Sequence, residues 1–324
     1  LVSHGYDVSR GTMNMPLRRA IRAGLVLGVL AMPRVALAWQ VPEIATLPDD
    51  VWGRTVRLGR DLITDTARLI GPQAADPQRR FAGSTLSCRN CHLDAGTREY
   101  GLPLVGVYGD FPRYRGREGR VGTLEERING CMTRSLNGRP LPVDGPDMRA
   151  MVSYIKFLST GVPVGAALPG RGAGSMKLLD RAADPVRGEQ VFRAACAACH
   201  GPDGAGRGGE APIPPLWGAA SFNDGAGMAR LIVSANFIHN NMPYGTTWQQ
   251  PVLAEEDAWD AAAFLVSRPR PSFAGLAQDY PVLRQKPVDA GYGPYADPFS
   301  PEQHRFGPFQ PIEAVRVRPA HADQ

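Results

Sequence analysis

Cys88-Arg89-Asn90-Cys91-His92 and, further along, Cys196-Ala197-Ala198-Cys199-His200 decide the fold. A C-x-x-C-H run in an exported chain reads as the attachment site of a c-type haem. The two thiols add across the vinyl groups, and the histidine that follows lies under the iron as proximal ligand. The two motifs use four of the five cysteines and leave Cys131, within Gly130-Cys131-Met132-Thr133-Arg134-Ser135, without a partner. The competing reading, a pair of C-x-x-C zinc or disulfide sites, needs further ligands that neither neighbourhood offers.

Around each motif the same parts recur: a helix into C-x-x-C-H, a long loop, a candidate distal ligand and a closing helix. His92 precedes Cys131 by 39 residues and His200 precedes Met242 by 42. In the first half, Asp49 to Leu69 reads as a helix with Val51, Val56, Leu58, Leu62, Ile63 and Leu69 as its apolar stripe. Leu124 to Ser135 reads as a short helix delivering Cys131, and Pro146 to Ser159 as an amphipathic helix. In the second half Asp184 caps a helix with Pro185 at its first position, and Ala254 to Val266 closes the domain. Sustained period-2 alternation is absent, which predicts an all-α protein of two fused class-I cytochrome-c-like domains, each with one covalent haem c. The expected boundaries are 39–160 for the first domain, 161–183 for a Gly-, Pro- and Ala-rich linker, 184–271 for the second domain and 272–324 for a loop-rich tail wrapping over both.

Residues 1–38 are expected to lie outside the fold. Arg18, Arg19 and Arg22 form a basic region, Ala23 to Met32 an apolar run too short to anchor in a bilayer, and Ala36-Leu37-Ala38 a small-residue cleavage site. That pattern predicts a secretory signal peptide and a periplasmic protein that is not integral to the membrane. Covalent haem attachment after translocation favours the general secretory route over twin-arginine export. The leader carries five arginines and one aspartate, so its removal lowers the formal charge from +5 to +1. The basic pI therefore gives no support to nucleic-acid binding.

For the second haem the distal candidates are Met242, in Asn241-Met242-Pro243, and His239; a methionine before proline suits a small c-type cytochrome, and thioether ligation raises the potential. For the first haem, Cys131 and Met132 compete. A thiolate there would lower the potential and leave a sulfur nucleophile at the iron. Arg113, Arg115, Arg117, Arg120, Arg127 and Arg134 crowd the segment around Cys131, and their forks suit haem propionates, Arg134 among them, or a small dianion. Glu118, Glu125 and Glu126 temper that field.

The two C-x-x-C-H motifs, Ile128-Asn129-Gly130-Cys131-Met132-Thr133-Arg134-Ser135-Leu136-Asn137-Gly138, Asn241-Met242-Pro243 and the tail Gln303-His304-Arg305-Phe306-Gly307-Pro308-Phe309 together resemble the di-haem thiosulfate dehydrogenases. The resemblance spans nearly the whole chain after the leader. It implies coupling of two thiosulfates into tetrathionate, or the reverse, at a haem ligated by His92 and Cys131. A second haem, ligated by His200 and Met242, would pass electrons to a cytochrome c-type partner. It also implies that Arg117 and Arg127 bind substrate and that Ser135 belongs to the active site. Some relatives carry a lysine beside the methionine; Asn241 stands there, so lysine ligation is not expected. Two other classes remain open at this point: a di-haem electron shuttle in which Cys131 only tunes a potential, and a sulfur-oxidising cytochrome acting on a carrier-protein thiol.

Overall fold

The first helix begins where Asp50 accepts the Gly53 N–H at 2.7 Å, and it runs over Val51–Thr64 (α1). Its buried face is Gly53, Val56, Gly59, Leu62 and Ile63, whereas Val51 and Leu58, two members of the expected apolar stripe, face solvent. Asp65 breaks the helix, and Thr66–Ile70 (α2) continues as a separate turn. After the first C-x-x-C-H comes a one-turn segment, Leu93–Gly96 (α3), in which Asp94 and Ala95 take positive φ. Leu124–Thr133 (α4) carries Cys131, and Pro146–Leu158 (α5) closes the half with Met148, Met151, Tyr154, Ile155 and Leu158 buried. The computed structural model describes residues 41–209 and 212–317, so the expected leader lies outside the described residues.

The second half repeats the plan. Asp184 caps Pro185–Ala195 (α6) by accepting the Val186 and Arg187 N–H groups. Ala197–His200 (α7) holds the second motif, Leu231–Asn241 (α8) follows the long loop, and Glu255–Ser267 (α9) closes the half. In each half the opening and closing helices cross at a glycine. A Cβ on Gly59 would stand 2.0 Å from the Ala150 carbonyl oxygen, and one on Gly188 would stand 1.8 Å from that of Asp260. The backbones thus touch at both crossings, which only a residue without a side chain permits.

Three expectations need correction. The described residues are not purely helical: Arg113–Arg115 (β1) and Arg120–Gly122 (β2) form an antiparallel hairpin with Tyr114 opposite Val121. Three-residue strands are too short to display alternation. Next, the long loop expected between the second motif and Met242 contains α8, which carries Asn236, Asn240 and Asn241. These asparagines are buried, and their amides are used in tertiary bonds: Met176 N–H to Asn236 at 2.6 Å, Asn240 to the Ala173 carbonyl at 2.7 Å, and Asn241 to the Tyr100 carbonyl at 3.0 Å. Finally, the tail contains Pro301–Phe306 (α10) and Gln310–Val317 (α11), and Phe309 and Ile312 are buried in one cluster with Leu231, Trp259 and Ala262. The Gly-rich stretch between the halves is also anchored, with Leu168 and Ala173 buried and Tyr100 and Leu102 N–H groups donating to the Gly170 and Gly172 carbonyls.

Residues of both halves and the tail belong to one compact unit. Among the described residues two apolar clusters form on α1, α4, α5 and the loops beside them, and another on α8, α9 and the tail. Among the described residues no helix is long and apolar enough to cross a membrane.

Candidate active site around Cys131

Thr123 starts α4 with a capping box: its hydroxyl accepts the Glu126 N–H, and the Glu126 carboxylate accepts the Thr123 N–H at 2.9 Å. The helix so begun turns Arg127 and Cys131, four residues apart, onto one face. Arg127 Nη1 donates to Cys131 Sγ at 2.7 Å, and among the described residues Arg127 has no carboxylate partner. Met132, the rival for the distal position, points into the core, where it is 1% exposed among Leu62, Ile70, Leu86 and Met148.

His92, Cys88 and Cys91 gather about Cys131, each close enough to perturb it or be perturbed by it electrostatically. Burial pushes all three thiols up. In Cys131 the charge of Arg127, the hydrogen bond and charge of His92, and the Arg127 hydrogen bond outweigh burial and bring the group down to about 6. Cys88, where burial outweighs the Thr66 hydroxyl and a backbone hydrogen bond, is pushed up to about 11, and Cys91 to about 12. Of the three, Cys131 alone is favoured as a free thiolate.

The chemistry of this donor set fits a haem c. His92 Nδ1 meets the Leu102 carbonyl, and His200 Nδ1 meets the Pro214 carbonyl at 3.0 Å. A ring whose Nδ1–H is committed to a carbonyl presents Nε2 as the metal-binding nitrogen. Cys88, Cys91, Cys196 and Cys199 are free of disulfides and stand ready for thioether linkage. At the second motif, burial pushes Cys196 up to about 11 and lowers His200, favouring its neutral, ligating form. Met242 ends α8 and packs, half-buried, against the cluster of Ile238 and Trp259, while His239 one turn earlier bonds to Asn240.

The neighbouring arginines have partners of their own. Arg115 pairs with Glu118 and Arg120 with Glu126, both at 2.8 Å. Arg117 and Arg134 converge on Asp279, a tail residue whose side chain is 4% exposed. Arg117 Nη1 reaches Oδ2 at 2.9 Å and also the Gly225 carbonyl at 3.0 Å; Arg134 grips both carboxylate oxygens at 2.6 and 3.0 Å. The Tyr292 hydroxyl donates to the same carboxylate at 2.6 Å. Arg117 also lies over the Tyr280 ring and Arg134 over Phe273. Ser135 stands just beyond α4, half-buried, and among the described residues its hydroxyl has no hydrogen-bond partner. Asp279, Tyr292 and Asn223, which ties to the Thr133 carbonyl at 2.9 Å, had no signal in the sequence: each lies in a loop without periodicity, far along the chain from α4.

Comparison with known proteins matches residues 78–164 to the SoxA/TsdA cytochrome c domain and residues 183–265 to the cbb3-type cytochrome c oxidase subunit III family. A thiosulfate dehydrogenase of Allochromatium vinosum is 44% identical over 260 residues, 78% of this chain and 91% of that protein. One from Thiomonas intermedia is 41% identical, covering 71% of this chain and 70% of the relative. Among solved structures, the as-isolated thiosulfate dehydrogenase TsdBA of Marichromatium purpuratum superposes with a TM-score of 0.65 at 35% identity. That match covers 72% of this chain and 49% of the other, so this chain spans about half of that longer one.

Proposed function

The chain belongs to the thiosulfate dehydrogenase family, and on that premise we propose that it is a periplasmic oxidoreductase that couples two thiosulfates into tetrathionate. The observation that carries this reading is the 2.7 Å contact between Arg127 and Cys131, which makes the odd cysteine a sulfur nucleophile beside a cation. The leader pattern of residues 1–38 supports the periplasmic location.

In this reading residues 39–160 and 184–271 are two cytochrome c domains joined by 161–183, with 272–324 as a covering tail. Cys88 and Cys91 would hold one haem c and Cys196 and Cys199 a second, with His92 and Cys131 offered to the iron of the first and His200 and Met242 to that of the second. Bound haem would supply acceptors for the two electrons the reaction releases, and a cytochrome c-type partner would take them on.

The protein's own groups do the rest. Thiosulfate binds between Arg117 and Arg127, with the free Ser135 hydroxyl offered to a sulfonate oxygen. The Cys131 thiolate and the sulfane sulfur form a sulfur–sulfur bond, giving cysteine S-thiosulfonate and releasing two electrons. A second thiosulfate attacks the sulfane sulfur of that adduct. Tetrathionate leaves and the Cys131 thiolate returns, so sulfur and charge balance. Arg127 stabilises the thiolate both as attacking and as leaving group.

The test is thiosulfate-dependent ferricyanide reduction by the holoprotein, with tetrathionate measured as product and Cys131→Ala as control. Stoichiometric tetrathionate, lost in Cys131→Ala with both haems retained, is expected. Near-normal turnover in Cys131→Ala overturns the mechanism, and no turnover by the intact holoprotein favours the electron-shuttle reading.

A further inference from the structure

A second cluster of arginines lies where the tail meets the second domain. A cavity of about 250 Å³ is lined there by Asp224, Arg230, Arg268, Arg270, Tyr292 and Arg305, among others. That is several times a water molecule's share of the liquid, room enough for a small hydrated anion.

The charges around it do not balance. Arg230 is matched by Asp289, which accepts from its Nε at 2.8 Å and its Nη2 at 2.5 Å. Arg268 lies over Trp217 and Phe264, its Cζ 5.6 and 5.1 Å from the ring centroids, and Arg270 lies over Phe222 at 4.3 Å. Among the described residues neither these two nor Arg305 has a carboxylate partner, whereas the buried carboxylates Asp279 and Asp297 hold Arg117, Arg134 and Arg316 elsewhere in the chain. Asp224 is the single acid on the wall; it accepts from the Ser272 hydroxyl and the Phe273 N–H, and its one charge offsets only part of that of Arg268, Arg270 and Arg305.

Arg270 is the sharpest case. Its Nη2 donates to the Leu265 carbonyl at 2.6 Å, but its Nη1 is buried with no partner. Burial first and then the neighbouring Arg305 push this guanidinium down to about 10, with Asp224 opposing them in part, which leaves it a cation at neutral pH. An unsatisfied charged donor costs the full desolvation of that group, and native proteins supply a partner.

We propose that this cavity is a second anion site, taking a small sulfate-like dianion between Arg268, Arg270 and Arg305. The ligand would bridge the end of α9 and the tail, and Tyr292 on the cavity wall also donates to Asp279, which holds Arg117 and Arg134. The site is separate from the second motif's distal residue: Arg230 precedes α8 and Met242 follows it, and eleven residues at 1.5 Å each put about 16 Å between the two ends. The proposal does not rest on the reaction at Cys131.

Inorganic sulfate, which cannot form a sulfur–sulfur bond with Cys131, is the probe. Calorimetric titration of the holoprotein with sulfate is compared with Arg270→Gln and Arg305→Gln, and with Arg127→Gln to identify any binding beside Cys131. The expected result is a loss of sulfate affinity of about tenfold or more in Arg270→Gln and Arg305→Gln, the worth of one charge-assisted hydrogen bond. Arg127→Gln should keep this binding, and thiosulfate turnover at saturation should be unchanged in the two cavity variants. Sulfate should also raise the unfolding temperature of the wild type more than that of either cavity variant. Sulfate binding equal in wild type and both variants, or absent from all, overturns the proposal. A shifted midpoint of the second haem in Arg270→Gln with sulfate binding unaltered also overturns it, assigning the guanidiniums to a haem propionate instead. Should Arg270→Gln fail to fold, Arg305→Gln at the exposed rim of the cavity decides alone.

Discussion

Arg127 and Cys131 stand one turn apart on α4, with the guanidinium Nη1 donating to the sulfur at 2.7 Å. A helix that starts at a fixed cap makes this contact a consequence of spacing, because residues four apart share a face. The same cation serves both halves of the proposed cycle, since it lowers the energy of a thiolate whether that thiolate attacks or departs.

Arg127→Gln removes the charge and the fork together. Turnover with thiosulfate should fall about 10- to 100-fold in kcat/KM, the value of a charge-assisted hydrogen bond. Arg127→Lys, which restores the charge but not the fork, should recover part of that loss. Steady-state kinetics on the three proteins with equal haem content measures this. Equal rates in wild type and Arg127→Gln would leave the arginine without a role in the chemistry.

Asp279 is the tail's hold on the first domain, because its buried carboxylate carries Arg117, Arg134 and the Tyr292 hydroxyl at once. Asp279→Asn keeps the shape but leaves two guanidiniums uncompensated. Breaking a buried pair in this way costs about 3–5 kcal/mol. The lower end is expected, since the side chains of Arg117 and Arg134 are 16% and 14% exposed. Hydrogen exchange should quicken over residues 272–292, and KM for thiosulfate should change as Arg117 is freed. Unaltered exchange in that stretch would show that the tail is held by other contacts.

Why some of this was legible and some not follows from the kind of residue involved. The two C-x-x-C-H motifs, the Asp184 cap and the helices at 146–158 and 255–267 are local, and short-range rules reach them. The buried face of α1 was hidden because two of its members are glycines, which carry no hydropathy; Val51 and Leu58 were credited with packing that Gly53 and Gly59 perform. The helix α8 was hidden because buried asparagines look polar until their distant partners, Ala173 and Tyr100, are known. Asp279 is more distant still from α4 in sequence, and an isolated aspartate in a proline-rich loop gives no periodicity to read.

Gly188 and Gly59 mark equivalent crossings, and both should resist any added side chain. Gly188→Ala would set a methyl 1.8 Å from the Asp260 carbonyl oxygen, a backbone atom that cannot rotate away. Forcing α6 and α9 apart should cost about 1–3 kcal/mol, the usual penalty of overpacking. Thermal unfolding of the holoprotein measures it, followed through the visible haem band. An unfolding temperature equal to that of wild type would show that the crossing gives way without cost.

The last prediction concerns acid. Asp297 sits between His304 Nε2, at 2.9 Å from Oδ1, and Arg316, whose Nη2 lies 2.9 Å from Oδ2. Burial pushes its carboxyl up, but Arg316 and His304 outweigh burial and hold it below the usual carboxylate range. A group whose folded value is depressed contributes stability that is fully present above its unfolded value, about 3.9 for aspartate. That contribution is lost as the pH falls from there through the folded value. The ring of His304 also lies stacked on Tyr295 and bonds through Nδ1 to the Val288 carbonyl, so loss of the carboxylate loosens several tail segments together. The wild type should therefore lose protection of α10 and α11 steeply below about pH 4. Asp297→Asn should start less stable and show a shallower decline, as followed by hydrogen exchange. Parallel acid profiles for the two proteins would mean that the charge on Asp297 does not hold the tail.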